Sequence, residues 1–97
     1  MLLIREIMYC KPGKVRPMVE KFLAMNKLGK DKGMPKMRIM TDVSAERYWT
    51  VIAEMEVESL EAFMKMGENE MEEFGEIMTG YHDLLDYGRR EIYTIEG

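Results

Sequence analysis

The chain has 97 residues, 46% of them hydrophobic and 33% charged, with a net charge of −4. Two domains of about 50 residues each would fall near the lower limit for an independent core, so one domain spanning 1–97 is expected. The apolar fraction excludes disorder, since it offsets the ordering entropy of the chain. No apolar run reaches the ~18–20 residues of a membrane span: Met1 to Ile4 is stopped by Arg5 and Glu6. A secretory leader would need a longer apolar centre and a small-residue cleavage site, and a cytoplasmic location is the expectation. Cys10 is the one cysteine, which excludes an intrachain disulfide and reads as a buried strand thiol. Charge is divided along the chain, with a balance of +7 over residues 1–40 and −8 over residues 54–76. The acidic half repels phosphates and the basic residues lack interleaved aromatics, which argues against nucleic acid.

Residues 2–10, LLIREIMYC, are short, apolar and rich in strand formers, and Lys11-Pro12-Gly13-Lys14 ends them. Val15, Met18, Val19, Phe22 and Met25 then recur at helical spacing, with Pro17 accommodated in the first turn. Gly29 is the expected C-terminal cap, followed by a loop to Gly33. Residues 36–41 read as a second strand, with Met37 and Ile39 on one face and Arg38 and Met40 on the other. After a turn at Asp42–Glu46, residues 47–56 read as a third strand. Its face of Trp49, Val51, Ala53 and Met55 is uniformly apolar, and its face of Tyr48, Thr50, Ile52 and Glu54 is mixed.

Ser59 is suited to N-cap a second helix, with Glu61 at the positive end of its dipole and Leu60, Phe63 and Met64 as its apolar stripe. Gly67 to Glu70 bends or splits this helix. A further helical stretch is expected from Met71 to about Leu85, carried by Met71, Phe74, Met78, Tyr81 and Leu85 and closed by Tyr87-Gly88. Arg89 to Ile95 supplies the last strand. The order β-α-β-β-α-β leads to an α+β, ferredoxin-like four-stranded antiparallel sheet with helices on one face. Ile4, Met8, Tyr48, Ile52, Tyr93 and Ile95 leave the bare face too apolar for water on one parity or the other. A second copy of the chain is the simplest cover, so a homodimer is expected.

Three segments carry a family resemblance: the strand-KPGK-helix at 2–28, RIMTDVSAERYWTVIAEMEVESLEAF at 38–63, and DYGRREIYTI at 86–95. Together they resemble the dimeric α/β-barrel superfamily, in particular its NIPSNAP-like members, over nearly the whole chain. The resemblance implies two ferredoxin-like protomers whose sheets join into one barrel. Members of the superfamily include cofactor-free aromatic monooxygenases, lactone isomerases, haem enzymes and many small proteins of unassigned function, and the chain is most similar to the last group. A shared fold transfers no activity. Haem-degrading members use an Asn on the first strand, a Trp on the third and a His on the second helix. Here Trp49 matches, the first strand has no Asn, and His82 falls too late, so no cofactor is assigned.

His82, the lone histidine, is the default acid/base candidate, with Tyr81 and Asp83 beside it; the alternative is an exposed residue near a helix end. Tyr48 and Trp49, adjacent on a strand, point to opposite faces. Either is placed to line a pocket for a flat, apolar or aromatic small molecule or to pack in the core, and Tyr9 shares the ambiguity. Arg5-Glu6-Ile7 and Arg90-Glu91-Ile92 repeat one tripeptide on strands expected to be antiparallel neighbours. Their charges can pair across the ladder, or Arg5 and Arg90 can hold a carboxylate. Tyr9, Arg38, Trp49 and Arg90 complete the set of candidate ligand-binding residues. The glutamates from Glu68 to Glu76 lack a second His or a Cys at ligand spacing, so no metal is expected. No P-loop, nucleophile elbow or Cys-His arrangement is present. The 12 methionines serve as adaptable core filler or as the lining of a pliable pocket. The functional expectation is a binder of a small apolar or aromatic molecule between sheet and helices, as a cofactor-free monooxygenase or isomerase, or alternatively a non-catalytic ligand-binding or protein-interaction module.

Overall fold

The structure, a computed structural model, describes residues 1–68 and 72–97. Strands β1 (Leu2–Cys10), β2 (Arg38–Thr41), β3 (Thr50–Val57) and β4 (Leu85–Thr94) form one sheet in the order β2-β3-β1-β4. Every pairing is antiparallel. Helices α1 (Val15–Asp31), α2 (Leu60–Glu68) and α3 (Glu72–Ile77) lie on one face, and a 3₁₀ turn at Tyr81–Asp83 leads into β4. This is the ferredoxin-like arrangement that the β-α-β-β-α-β order implies, with α2 and α3 described on either side of residues 69–71. Met71, Asn69 and Glu70, assigned above to a helical stripe and a bend, lie outside the described residues.

The register of β1 decides which side chains meet the helices. Glu6 pairs with Ala53, and Met8 with Val51, so the even-numbered residues of β1 share the helix side with Val51, Ala53 and Met55. Met8, Cys10, Met18, Val19, Phe22, Met37, Val51 and Ala53 form the core there. Ile4, Met18 and Val51 are fully enclosed. Burial alone pushes the Cys10 thiol above its ordinary pKa, consistent with an inert structural thiol. The apolar parity expected for β3 is therefore present from Val51 onward.

Helix α1 presents Met18, Val19 and Phe22 to the sheet at 3-4 spacing, and Pro17 stands in its first turn, where no N–H is needed. It ends later than expected. Gly29 is buried inside the helix, and the cap is built around Gly33 (φ 72°). The Met34 N–H donates to the Gly29 carbonyl at 2.9 Å and the Gly33 N–H to the Lys30 carbonyl, which is a Schellman closure. Helix α2 begins as expected, with Ser59 Oγ accepting from the Ala62 N–H at 3.1 Å.

Three further expectations are corrected. Trp49 and Tyr48 are not on β3 and do not point to opposite faces of the sheet. Both lie in the bend before it, and they are 44% and 84% exposed. Trp49 has φ 63°, a left-handed conformation that costs a bulky residue about 1–2 kcal/mol. It is held by the ends it joins: the Trp49 carbonyl accepts from the Cys10 N–H, and the Thr50 N–H donates to the Asp42 carboxylate. The helical stretch 71–85 is also shorter. Gly80 (φ 82°) ends it, and Leu85, Tyr87 and Gly88 belong to β4. Lastly, the bare sheet face is less apolar than the strand patterns suggest, because Ile4 and Met8 point toward the helices and Tyr48 leaves the sheet.

Met18, like Ile4 and Val51, is a fully enclosed core side chain. Met18→Ala should lower unfolding free energy by about 2–5 kcal/mol in urea denaturation. A loss below 1 kcal/mol would contradict the enclosed placement.

Candidate functional site

The two faces of the sheet carry different chemistry, and β1 supplies both. Odd-numbered β1 residues point to the face without helices. There Arg5 Nε donates to Glu54 at 2.9 Å, and Arg38 donates to the other Glu54 oxygen at 2.9 Å. Glu54 is only 5% exposed. Arg5 also lies 3.7 Å from Glu91, which accepts from the Tyr93 hydroxyl at 2.7 Å. Beside this network Tyr9 is buried under Arg47, whose guanidinium sits 4.4 Å above the ring. Tyr87 stacks against Tyr9, and the Tyr9 hydroxyl accepts from Arg89. Burial raises the Glu54 carboxyl pKa, but the hydrogen bonds and charges of Arg5 and Arg38 outweigh that, and it lies below the usual carboxylate range.

The helix side holds a cavity of about 610 Å³ that opens to solvent. Its fixed wall is the second half of α1. Phe22, Met25 and Asn26 share one stripe, and Gly29, one turn further, adds no side chain, so the space stays open. Asn26 pins this wall to the start of β2, its amide donating to the Met37 carbonyl at 2.7 Å and accepting from the Met37 N–H at 2.8 Å. The opposite wall is α2 and α3, through Phe63, Met64, Met66 and Phe74. Along the α2 stripe Leu60 and Met64 are 49% and 61% exposed, and Met64 stands at the rim of the cavity. Six methionines line the space: Met25, Met34, Met37, Met55, Met64 and Met66. Unbranched thioethers adapt to irregular guests and make favourable contacts with aromatic rings.

One polar corner interrupts this lining. Glu6 of β1 and Arg90 of β4 are register partners, and Arg90 Nε donates to Glu6 across the ladder. The Arg90 guanidinium also lies 5.0 Å above the Phe63 ring, joining sheet to α2. The repeated Arg-Glu-Ile tripeptides thus pair as expected, Arg5 with Glu91 on one face and Glu6 with Arg90 on the other. Strand alternation sends the two pairs to opposite sides.

Of the candidate site residues, Arg90 lines the cavity and the others do not. Tyr9 and Arg38 belong to the opposite face, and Trp49 to the bend before β3. His82 is exposed in the 3₁₀ turn, its ring 4.0 Å from that of Tyr81. Glu6, Asn26 and Phe63 were absent from the candidate set. Their only sequence signal was helical or ladder spacing, which core residues share. Among the described residues no group of three or more His, Cys, Asp or Glu could hold a metal ion. No described helix is long and apolar enough to cross a membrane.

No family model and no curated protein matches the sequence. Among solved structures, the fold is that of NIPSNAP domain proteins. An uncharacterized NIPSNAP domain protein from Burkholderia xenovorans superimposes with a TM-score of 0.79 at 15% identity, covering 100% of this chain and 96% of that one. A NIPSNAP-like domain protein from the same organism gives 0.81 at 14% identity, covering 99% and 85%. A provisionally assigned antibiotic biosynthesis monooxygenase from Deinococcus radiodurans gives 0.72 at 7% identity, covering 100% and 94%. At these identities the likeness establishes the ferredoxin-like fold of this group.

The Glu54 network sets a pH dependence. A carboxylate whose pKa is lower in the folded than in the unfolded chain stabilises above the unfolded value, about 4.3, and loses that contribution as pH falls through the folded value. The denaturation midpoint should therefore drop between pH 7 and pH 3, and the drop should be smaller in Glu54→Gln. At pH 7 that variant should be less stable by about 1–2 kcal/mol. Equal pH profiles for the two proteins would refute the assignment.

Proposed function

We propose that the protein binds a small apolar or aromatic molecule in the cavity between sheet and helices. The observation that carries this is the Met- and Phe-lined space of about 610 Å³, within the size range of small-molecule sites and furnished with one charged corner.

The chain is further proposed to act as a homodimer through the face that helices leave open. Tyr87 and Tyr93 are 54% and 46% exposed there. The resemblance to dimeric α/β-barrel proteins supports a second copy as the cover. A cytoplasmic setting, compatible with the unpaired Cys10, belongs to the same proposal.

A cofactor-free monooxygenase or isomerase is the second reading, favoured by the provisionally assigned monooxygenases of Deinococcus radiodurans and Nitrosomonas europaea that share the fold. Among the described cavity residues, however, Glu6 and Arg90 are the titratable groups, and they are paired with each other. His82 could act only on a substrate at the exposed 3₁₀ turn. Binding is accordingly placed ahead of turnover.

N-phenyl-1-naphthylamine, an uncharged dye, should bind saturably with enhanced fluorescence. Met64→Glu, a change at the exposed rim of the cavity, should weaken it by about tenfold while leaving circular dichroism unchanged. An absence of saturable binding would remove this reading. Light scattering at micromolar concentration should give about twice 11.4 kDa, and a monomer mass would contradict the dimer.

A further inference from the structure

The geometry points to a specific ligand class for the cavity: an uncharged apolar molecule carrying one carbonyl acceptor, such as a ketone or ester, whose oxygen is received by Arg90. This rests on the reading of the cavity as a ligand site and adds what selects the guest.

Among the described residues lining the cavity, Glu6, Asn26 and Arg90 have polar side chains. The Asn26 amide oxygen accepts from the Met37 N–H and one of its two amide hydrogens goes to the Met37 carbonyl, which fixes the group against β2 and leaves it one neutral N–H. Arg90 is held at two places, its Nε by Glu6 and its guanidinium by the Phe63 ring. Among the described residues its two terminal nitrogens make no hydrogen bond. The end of the guanidinium fork is thus the charged donor edge open to a guest, and the Phe63 contact and the ion pair orient it beforehand. Arg90 is 52% exposed, so a guest oxygen would take the place of water on this edge, and the charge on the donor strengthens the bond that replaces it.

Charge decides between an anion and a neutral acceptor. Glu6 already cancels Arg90, so the corner is neutral as a pair. A carboxylate guest would bring a second negative charge beside Glu6 into a cavity walled by methionine and phenylalanine, and would have to shed its hydration to do so. A cationic guest would meet Arg90. A carbonyl oxygen adds no net charge and satisfies the open N–H groups. The remainder of the molecule lies against the thioethers and the rings of Phe22 and Phe74.

The test uses three probes with one ring system and different polar ends: naphthalene, 2-acetonaphthone and 2-naphthoate, compared by equilibrium dialysis at pH 7. The ketone should bind at least about tenfold more tightly than the other two, the gain expected of one charge-assisted hydrogen bond. In the double variant Arg90→Met with Glu6→Gln, which removes both charges together, the ketone should fall to within about threefold of naphthalene, whose own affinity should stay unchanged. If that variant does not fold, the ranking on the unmodified protein still decides. Equal binding of all three, or tightest binding of 2-naphthoate, would overturn the role of Arg90 while leaving the cavity a ligand site. Failure of all three to bind would overturn both.

Discussion

The antiparallel register of β1 between β3 and β4 is the constraint on which the rest of the molecule depends. Arg5 and Glu6 are adjacent, yet one is committed to each side of the sheet. Arg5 joins Glu54 and Glu91 on the open face, while Glu6 joins Arg90 on the helix side, where the pair borders the cavity. A slip of one residue would exchange them. It would bury Arg5 among the methionines and put Ile4 and Met8 where the charge network lies. The ion pairs on both faces therefore act together with the apolar core in selecting a single alignment, since each is satisfied in only one. Their value lies in specificity more than in raw stability, because several members are partly exposed and screened.

The helix layer divides into parts that are fixed and parts that are spanning. α1 is fastened to the sheet by its buried stripe, to β2 by Asn26, and to the end of α3 by Lys21, which donates to the carbonyls of Ile77 and Thr79. α2 instead bridges open space. Its stripe is only partly buried, and the link it makes to the sheet near the cavity is the stacking of Phe63 under Arg90. A cavity with one pinned wall and one spanning wall can adjust to its guest without disturbing the sheet.

Much of the fold was legible in the chain because local chemistry and tertiary placement agree. The alternation Val51-Ala53-Met55, the Ser59 cap and the 3-4 spacing of Met18, Val19 and Phe22 each have one reading in sequence and the same reading in structure. Disagreement arose where a local signal is shared by two structures. Trp49 and Tyr48 are strand formers, so they read as strand, but closure of the Asp42–Thr50 bend requires a left-handed residue at 49. Met78, Tyr81 and Leu85 keep helical spacing, yet Gly80 turns the chain between them and Leu85 packs on the core from β4. Of the candidate site, Arg90 was legible and its setting was not. An arginine opposite a glutamate looks self-satisfied whether it faces water or a cavity, and the emptiness that gives Arg90 meaning comes from Gly29 and the span of α2, which no short pattern encodes.

The six thioethers of the cavity wall also define a chemical vulnerability. Oxidation of a methionine replaces a soft, apolar sulfur with a strongly polar, chiral sulfoxide. In a well-packed core such groups are shielded, but Met64 is 61% exposed at the rim and the others border open space. A few oxygen atoms added there would turn a lining suited to hydrocarbon into one that holds water, with the sheet and its ion pairs untouched. The same softness that lets the cavity fit varied guests makes its character depend on the redox history of the sample.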